Sequence, residues 1–331
     1  MSLGEVCPET GHIFRGRWRW IREKPMMEIL MATYNGAAFL REQIDSILAQ
    51  TDGGWHLTVS DDGSEDETAD IIDSYAERYP DKITRYRSGK RFGNARDHFL
   101  HLMKEACTAE WMLLCDQDDV WFPNKAGSIR KAIREAEAKY GADKPLLIFS
   151  DQVPADGNLK PLADSLVRYQ KLYTDSFDYR SILIQNAVTG GAMAVNRPLV
   201  KLAGESRKNS SMIMHDWWMA AVAARFGRIV YIPEPLGYYR QHGGNAVGAR
   251  HHGSIGYIRN RIGALKDVRE TIVKKKTQAV LFRTTYKERL NDSDRKFLSG
   301  FTRRRSGIFF YLKYRKLLHG FERKLGMMIL G

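Results

Sequence analysis

Short apolar runs alternate with amphipathic segments between residues 28 and 150. The apolar runs predict strands at 29–32, 57–60, 83–86, 111–115 and 146–149. In the segments between them, apolar residues such as Leu40, Ile44 and Ile47 recur at helical spacing. Strands that alternate with helices in this way build βαβ units, in which the strands run parallel. We therefore expect an α/β fold with a mostly parallel central sheet flanked by helices.

Polar residues follow three of the predicted strands at the point where each strand ends. These segments are 33–36, 61–64 and 116–119. In open parallel sheets, ligands bind outside the carboxyl ends of the strands, and these ends lie at one edge of the sheet. Packing does not require three polar segments to meet there, whereas a phosphate or metal site does. The pattern therefore predicts a ligand site at that edge.

Three carboxylates lie within four residues directly after the apolar run at 111–115. They are Asp116, Asp118 and Asp119. Like charges this close repel each other unless a positive charge lies among them. A divalent metal that carries a nucleotide diphosphate supplies that charge, because Mg²⁺ and Mn²⁺ prefer carboxylate oxygens together with substrate phosphates. A solvated acidic loop is the alternative interpretation of the same residues.

The second half of the chain adds two features. Gly190 and Gly191 interrupt an apolar run at 187–195, where they would let the backbone approach a ligand; a bulge or a turn is the alternative. The sequence His-Asp-Trp-Trp at 215–218 begins an apolar helix that we expect to end near Phe226. The remaining predicted elements are short strands at 229–232 and 236–239 and helices from residue 254 onward.

The net charge of +13 is concentrated in the last quarter of the chain. Residues 250–331 contain 21 lysines and arginines and six acidic residues, a balance of +15, while the other 249 residues have a balance of −2. This asymmetry indicates an anionic partner, either a membrane or a nucleic acid. Basic residues beside the aromatic and apolar run at 309–312 favour docking on an anionic membrane surface. Solvated faces of helices packed on the rest of the chain, or an oligomer contact, are the alternatives.

Composition excludes several classes of protein. Hydrophobic residues make up 43% and charged residues 27% of the chain, as in ordinary globular proteins. No apolar run approaches the roughly 20 residues that a membrane-spanning helix needs, and residues 1–26 lack the apolar core of a signal peptide. The three cysteines have no paired spacing, so neither a disulfide framework nor a zinc site is expected. We expect a cytoplasmic protein in which 1–26 is an appendage, partly disordered or introduced by the expression vector.

Four motifs together resemble those of the family 2 glycosyltransferases, which have the GT-A fold. They occur in the family's order and rough spacing, and the resemblance covers residues 27 to 245. The motifs are Ala-Thr-Tyr-Asn-Gly at 32–36, Val-Ser-Asp-Asp-Gly-Ser at 59–64, Asp-Gln-Asp-Asp at 116–119 and His-Asp-Trp-Trp at 215–218. With Tyr-Arg-Gln-His at 239–242, the chain is similar to the bacterial rhamnosyltransferase-like branch. The resemblance implies a GT-A domain with a Rossmann-like sheet at 27–249 and a basic helical extension at 250–331.

The resemblance also implies roles for individual residues. Asp118 would be the main metal ligand, with His242 as a further ligand or a contact of the diphosphate. Asp216 stands where these enzymes have their catalytic base; the family usually has Glu-Asp there, and this chain has His-Asp. The pocket for the sugar or the acceptor would be lined by Gly190, Gly191, Trp217 and Trp218. The nucleotide would be bound by Thr33, Tyr34, Asn35, Asp61, Asp62 and Asp116.

Each assignment has an alternative that the sequence leaves open. Asp61 and Asp62 also suit the cap of the following helix, and Asp216 suits the N-cap of its own helix. His242 precedes two glycines and suits a turn. The two tryptophans at 217 and 218 suit core packing.

The expected function is metal-dependent, inverting transfer of a hexose or deoxyhexose from a UDP- or dTDP-sugar. The acceptor would be a saccharide or a lipid-linked saccharide in bacterial cell-surface polysaccharide biosynthesis, and the cofactor Mn²⁺ or Mg²⁺. Docking through 250–331 would place the enzyme on the inner face of the cell membrane. The alternatives are a sugar-nucleotide nucleotidyltransferase, whose Gly-rich phosphate loop is missing at 32–36, and a non-catalytic binder of anions or nucleic acids. No nucleic acid is expected as a partner, because 250–331 contains no recognised nucleic-acid motif.

Overall fold

A central sheet of eight strands organises the protein, whose computed structural model describes residues 27–243, 261–303, 307–314 and 317. The predicted appendage at 1–26 and parts of the predicted extension at 250–331 lie outside these residues. The strands are β1 (Met27–Thr33), β2 (Trp55–Asp61), β3 (Ile83–Arg85), β4 (Trp111–Cys115), β5 (Val120–Trp121), β6 (Leu146–Ala155), β7 (Met193–Asn196) and β8 (Arg228–Arg240). Their order in the sheet is β3-β2-β1-β4-β7-β6-β8-β5.

Most neighbouring strands run parallel, which confirms the predicted α/β sheet. β1 is parallel to β2 and β4, β2 to β3, and β6 to β8. β7 is antiparallel to β4 and β6, and β5 is antiparallel to β8. The carboxyl ends of β1, β2 and β4, which carry the three polar segments, therefore lie at the same edge.

Helices cover both faces of the sheet. They are α1 (Ala37–Leu48), α2 (Thr68–Arg78), α3 (Ala95–His101), α4 (Lys125–Tyr140), α5 (Leu166–Tyr169), α6 (Tyr179–Ile184), α7 (Arg197–Ala203), α8 (His215–Phe226), α9 (Arg261–Thr285), α10 (Asp292–Thr302) and α11 (Gly307–Tyr314). Helices α1, α2 and α4 pack on one face, and α3, α6, α7 and α8 on the other.

The central strands are apolar on both faces because both faces are covered. In β1, the side chains of Met27, Ile29 and Met31 join one hydrophobic cluster, and Leu30 joins the other; all four are fully buried. Strands buried on both sides appear in a sequence as continuous apolar runs. This arrangement explains why the runs at 29–32 and 111–115 show no alternation of polar and apolar residues.

Strand β8 is continuous where the sequence predicts two short strands. Ser150 of β6 pairs with Ile232, but the next residue, Asp151, pairs with Pro235. The two residues between them on β8, Pro233 and Glu234, therefore form an irregularity in the pairing. Proline has no N–H to donate to a ladder, and such an irregularity is where a strand accommodates it.

The C-terminal helices share the hydrophobic core of the rest of the protein. Their fully buried aromatic side chains in α9 and α10 are Phe282, Phe297 and Phe301. Phe310 of α11 is 8% exposed and packs against Phe297 and Phe301, with ring centres 5.6 and 5.8 Å away. Phe310 is therefore a core residue, although the sequence analysis assigned the run at 309–312 to a membrane-facing surface. None of the helices in the described ranges combines the length and apolar character needed to cross a bilayer.

Candidate active site

Hydrogen bonds join the three polar strand ends at one edge of the sheet. Thr33 Oγ1 donates to Asp61 Oδ1 at 2.9 Å, which links β1 to β2. Gln117 links the end of β4 to β1, since its Nε2 donates to the Tyr34 carbonyl at 3.1 Å and its Oε1 accepts from the Tyr34 N–H at 2.9 Å. The predicted convergence of the segments 33–36, 61–64 and 116–119 is therefore what the fold produces.

The turn after β1 requires residues that tolerate an unusual backbone and a close contact. Asn35 has a φ of +47°, in the left-handed region that asparagine tolerates better than most residues. Its N–H donates to Ser64 Oγ at 2.8 Å, and its Oδ1 accepts from the Glu65 N–H at 2.8 Å. A Cβ on Gly36 would lie 2.3 Å from Oε1 of Gln117, too close for a side chain. Asn35 therefore ties two strand ends together, and its predicted contact with a nucleotide stays a prediction.

A cleft of about 1170 Å³ opens at this edge, between the strand ends and helices α3, α8 and α9. The residues predicted for the site that line this cleft are Thr33, Tyr34, Asp62, Asp116, Asp118, Gly190, Asp216 and Trp217. The predicted residues outside its lining are Asn35, Asp61, Gly191, Trp218 and His242.

Asp61 is engaged inside the turn that follows β2. Its Oδ2 accepts from the N–H groups of Gly63 and Ser64 at 3.1 and 2.9 Å, and its Oδ1 accepts from the hydroxyls of Thr33 and Ser64. Helix α2 begins only at Thr68, so the carboxylate does not cap it. Asp61 therefore stabilises the turn, and its contact with a nucleotide remains a prediction.

Asp62 anchors the loop at 91–94 beside the cleft. Its Oδ2 accepts from the Gly93 N–H at 2.7 Å, and its Oδ1 accepts from the Phe92 N–H at 2.5 Å. The anchored loop presents Arg91, which donates to the Tyr34 hydroxyl at 2.9 Å and lies 5.2 Å from the centre of that ring. Arg91 had no predicted role, because only the fold brings it next to Tyr34. In the sequence it is recognisable only as part of the basic pair at 90–91, which lies between two glycines.

Asp116 is confined between other carboxylates and a glycine. Burial, together with the charges of Asp118 and Asp216, raises the pKa of Asp116 to about 7, although a backbone hydrogen bond from Gly191 opposes this rise. A Cβ on Gly191 would lie 2.6 Å from Asp116 Oδ2 and 3.0 Å from Asp119 Oδ2. Gly191 is therefore needed because the backbone approaches two carboxylates of the chain itself. It forms part of the short 3₁₀ turn Gly190–Ala192.

Lys125 is a buried cation behind the carboxylates, and the sequence analysis gave it no role. Its side chain is fully buried, its Nζ donates to the Gly191 carbonyl at 3.0 Å, and it lies 4.1 Å from the centre of the Trp121 ring. Burial lowers the pKa of Lys125 to about 8, against the attraction of neighbouring acidic groups that include Asp119 and Asp116. In the sequence, the only indication is that Lys125 occurs at helical spacing from the apolar residues of α4, which form its buried face.

Asp119, which also lacked an individual role in the sequence analysis, completes the buried part of the cluster. It is 1% exposed, and burial raises its pKa well above the usual range, with Asp116 and Asp118 adding to the rise. Its Oδ2 accepts from Gln152 Nε2 at 3.1 Å, and its Oδ1 accepts from the Arg240 N–H at 3.2 Å. Asp119 therefore joins the β4 end to the end of β8.

Asp118 and His242 meet although they are far apart in sequence. Asp118 Oδ2 lies 2.7 Å from His242 Nε2, and the His242 ring packs 4.6 Å from the ring of Phe39. The chain around His242 is held by Arg240, whose guanidinium donates to the Asp118 carbonyl at 2.8 Å and to the Gly157 carbonyl at 2.7 Å. The predicted metal ligands are therefore adjacent.

This pair fits a divalent ion that arrives with a diphosphate. Magnesium and manganese commonly take one or two protein ligands and complete their coordination with phosphate oxygens and water. Carboxylate oxygens suit Mg²⁺ and Mn²⁺, and imidazole nitrogens bind transition metals. Within the described part of the chain, no group of three or more histidine, cysteine or acidic residues could hold a metal alone. Phosphate oxygens of a substrate and water molecules would complete the coordination.

Asp216 lies in the first turn of α8, on the helical wall of the cleft. Burial raises its pKa to about 7, although the backbone N–H groups of Trp217 and Gly190 donate to its carboxylate. Met214 is the N-cap residue of α8, so the N-cap interpretation of Asp216 is wrong. A carboxylate with a pKa near neutrality, open to a cleft, can accept a proton from a bound hydroxyl.

His215 is a second buried polar residue that faces the cleft. It is 4% exposed, packs 4.6 Å from the Phe99 ring, and burial lowers its pKa to about 3, so the imidazole is neutral. Among the described residues, neither of its ring nitrogens has a hydrogen-bond partner. A Cβ on Gly190 would lie 3.1 Å from His215 Nε2. Buried polar atoms are usually hydrogen-bonded, so a water molecule or a bound ligand could pair with these nitrogens.

The two tryptophans of α8 have different environments. Trp217 lines the cleft, and its indole N–H donates to the Ile182 carbonyl at 2.5 Å. Trp218 is fully buried, its indole N–H donates to the Ala203 carbonyl at 3.1 Å, and its ring packs against Tyr286 of the C-terminal helices. The prediction that Trp218 lines a sugar pocket is therefore wrong, because adjacent helical residues point about 100° apart.

Comparison with known proteins agrees with this geometry. The model of the family described as Glycosyl transferase family 2 matches residues 28–197, which is half of the chain. The dTDP-rhamnosyl transferase RfbG of Shigella flexneri is 29% identical over 248 residues, which cover 70% of this chain and 80% of that protein. An uncharacterized glycosyltransferase of Nostoc sp. is 29% identical over 228 residues, which cover 66% of each protein.

Solved structures show the same fold. A fragment of TarS from S. aureus in complex with UDP-GlcNAc superimposes with a TM-score of 0.51 at 14% identity, over 92% of this chain and 84% of that one. The mannosyltransferase PcManGT from Pyrobaculum calidifontis, in complex with GDP-Man and Mn²⁺, gives 0.50 at 16% identity, over 92% and 79%. These neighbours are glycosyltransferases of the GT-A fold, as the sequence motifs imply. Sequence motifs, sheet and family match agree, and the chain belongs to glycosyltransferase family 2.

Proposed function

We propose that this glycosyltransferase moves a hexose or deoxyhexose from a nucleotide-diphosphate sugar to an acceptor hydroxyl, with inversion at the anomeric carbon. The observation that carries the proposal is the placement of Asp216 in the same cleft as Asp116 and Asp118. Helix α8 thus offers the carboxylate of Asp216 to the cleft, and the strand ends offer carboxylates suited to a metal-bound diphosphate. The family match makes a nucleotidyltransferase the less favoured alternative.

Asp216 is the proposed general base. An acceptor hydroxyl must lose its proton as its oxygen attacks the anomeric carbon, and an ionised carboxylate beside it accepts that proton. The raised pKa of about 7 makes Asp216 a better proton acceptor than an ordinary aspartate while leaving much of it ionised at neutral pH. Attack from the face opposite the leaving diphosphate inverts the configuration, and no covalent sugar–enzyme intermediate is needed.

The donor is proposed to lie along the strand ends. Thr33, Tyr34 and Asp62 line the cleft there, and Arg91 adds a planar cation that stacks near the Tyr34 ring. Asp118 and His242 would hold Mn²⁺ or Mg²⁺. When bound, the ion would act as a Lewis acid that neutralises the charge developing on the departing diphosphate.

The relatives narrow the substrates that we propose. RfbG is described as a dTDP-rhamnosyl transferase, and the TarS complex contains UDP-GlcNAc. We propose a dTDP- or UDP-sugar as donor and a saccharide or lipid-linked saccharide of a bacterial cell-surface polysaccharide as acceptor. Thermal-shift screening of sugar nucleotides with Mn²⁺ identifies the donor as the compound with the largest stabilisation.

The variant Asp216→Asn tests the base. It keeps the size of the side chain but replaces one acceptor oxygen with an NH2 group, and the amide cannot accept the proton. We therefore expect transfer to fall by about 10²- to 10⁴-fold while donor binding is retained. Asp70→Asn, an exposed site in α2, is the matched control. Unchanged turnover in Asp216→Asn would remove the base assignment, and a product with retained anomeric configuration would contradict inversion.

The metal site is tested by titration with Mn²⁺ after chelation. We expect chelated enzyme to be inactive and His242→Ala to need about tenfold more Mn²⁺ for half of its maximal rate, because one ligand is lost. Full activity after exhaustive chelation would refute a metal-dependent reaction.

The basic segment 250–331 is proposed to hold the enzyme on the inner face of the cell membrane. In its described part, the side chains of Lys296, Leu312 and Lys313 are exposed, whereas Phe310 is buried in the core. Exposed cations favour an electrostatic, salt-sensitive attachment to an anionic surface. Sedimentation with anionic vesicles at low and high salt tests it, and absence of binding at low salt would eliminate it. Salt-dependent retention on DNA would instead favour a nucleic acid partner.

A further inference from the structure

Helix α9 forms one wall of the cleft, and this wall carries cations. The residues of α9 that line the cleft are Thr271, Val273, Lys274, Lys275 and Thr277. The same cleft is lined by Asp116, Asp118 and Asp216. It therefore contains both cationic and acidic side chains.

This wall is anchored in the core. Ile272, Ala279 and Phe282 of α9 are buried, and Gln278 Oε1 accepts from the Ile213 N–H at 2.8 Å. The buried residues fix the rotation of the helix about its axis, so that Lys274 is exposed and lines the cleft. The cations are therefore presented by a fixed element, which lowers the entropy cost of binding an anion.

The cations lie on the side of the cleft that carries the proposed base. Lys275 Nζ lies 5.8 Å from the centre of the Trp217 ring, and Trp217 directly follows Asp216 in helix α8. The donor diphosphate is assigned to the other side, at Asp118 and His242. An anionic group bound by Lys274 and Lys275 would therefore belong to the acceptor, whose attacking hydroxyl must reach Asp216.

We infer that α9 binds a phosphate group of the acceptor, so that the acceptor is a saccharide esterified to phosphate or diphosphate. The inference rests on the proposed transferase function. Lysine ammonium groups pair with phosphate oxygens as point charges, and the hydroxyls of Thr271 and Thr277 add neutral donors. The exposed side chain of Val273 beside them suits an alkyl group on the far side of the phosphate.

The test uses full-length enzyme and matched acceptors. Hexose and N-acetylhexosamine 1-phosphates are compared with the methyl glycosides of the same sugars, with the double variant Lys274→Ala/Lys275→Ala and with the control Lys287→Ala/Lys296→Ala. The control removes the same charge from exposed lysines of the same C-terminal region outside the cleft.

We expect the wild-type KM for the phosphorylated acceptor to be about tenfold lower than for the methyl glycoside, which corresponds to one charge-assisted contact. In Lys274→Ala/Lys275→Ala, the ratio of the two KM values falls to about one, while KM for the methyl glycoside and for the donor stays unchanged. High salt reduces the wild-type advantage in the same direction. An alkyl diphosphate of the same sugar with a still lower KM identifies a lipid-linked acceptor, and an equal KM identifies a free sugar phosphate.

Two outcomes would overturn the inference. One is an equal wild-type KM for phosphorylated and methylated acceptors; the other is a raised donor KM in the cleft variant, which would assign the lysines to the donor diphosphate. Calorimetry with the sugar 1-phosphates separates this inference from the function itself. Lysine-dependent binding without any transfer would refute the proposed reaction and support the phosphate site. Transfer to both acceptors without lysine dependence would support the reaction and refute the phosphate site.

Discussion

Replacement of Lys125 by methionine tests how the chain tolerates its buried carboxylates. Methionine keeps the length and apolar stem of the side chain but removes the ammonium group that donates to the Gly191 carbonyl at 3.0 Å. Asp116 and Asp119 then face each other without the buried cation that attracts them. We expect a folded but destabilised protein.

The magnitude follows from the burial of Lys125. Removal of one partner from a buried set of charges costs about 3 to 5 kcal/mol, because the remaining charge stays desolvated. Asp119 already has a pKa well above the usual range, so proton uptake relieves part of this cost. We therefore expect a loss of about 3 kcal/mol at pH 7. An unfolding entropy of about 2.1 cal/mol/K per residue over 331 residues gives about 1.4 °C per kcal/mol, so Tm should fall by about 4 °C.

The loss depends on pH with a definite sign. A carboxyl group whose pKa is raised by folding costs stability as the pH rises through its folded-state pKa, and the cost disappears once the group is protonated. Without Lys125, the pKa values of Asp116 and Asp119 rise further. Because the pKa of Asp116 is about 7 and that of Lys125 about 8, the deficit of the variant should be larger near pH 7, where Lys125 is charged, than near pH 5, where Asp116 is protonated.

Thermal and urea unfolding in a chelating buffer measure this difference, with Lys131→Met as the control because Lys131 is exposed on the same helix α4. The double variant Lys125→Met/Asp119→Asn should recover part of the lost stability, since the carboxylate is removed as well. A Lys125→Met protein that is as stable as the wild type at both pH values would refute the reasoning.

Two further predictions concern catalysis. Burial raises the pKa of Asp216 to about 7, and the base works in its ionised form. We therefore expect kcat/KM to rise about tenfold per pH unit between about pH 5 and 6.5 and to level off above about pH 7. A profile that is flat down to about pH 5 would contradict the assignment of Asp216 as the base. Gly191→Ala places a Cβ 2.6 Å from Asp116 Oδ2 and should lower transfer by about 100-fold by displacing the carboxylate, whereas Gly157→Ala, which meets open space, should leave the rate unchanged.

The geometry of parallel strands made much of the site predictable from sequence. Polar segments after separate strands had to meet at one edge, so the neighbourhood of Thr33, Asp62, Asp116 and Asp118 followed from their positions in the chain. The place of Asp216 came from the family resemblance, since no local rule connects α8 to those strand ends.

What the sequence could not reveal depends on tertiary contacts. The predicted nucleotide contact of Asp61 gave no sign that its carboxylate accepts hydrogen bonds from Thr33 of β1 and from the turn after β2. Trp217 and Trp218 are neighbours with the same chemistry, and only the rotation of α8 decides which of them faces the cleft. Lys125 and the α9 lysines look like ordinary surface charges until the fold turns them toward the carboxylates and the cleft.

The packing of α9 against α8 has a consequence for how this enzyme can be shortened or fused. Trp218, two residues after the proposed base, packs against Phe282 and Tyr286, with ring centres 5.8 and 6.0 Å away. A chain cut before α9 would therefore lose the aromatic side chains that pack against the rear of α8. A shortened or fused form of the enzyme should keep these helices, although the family match ends at residue 197.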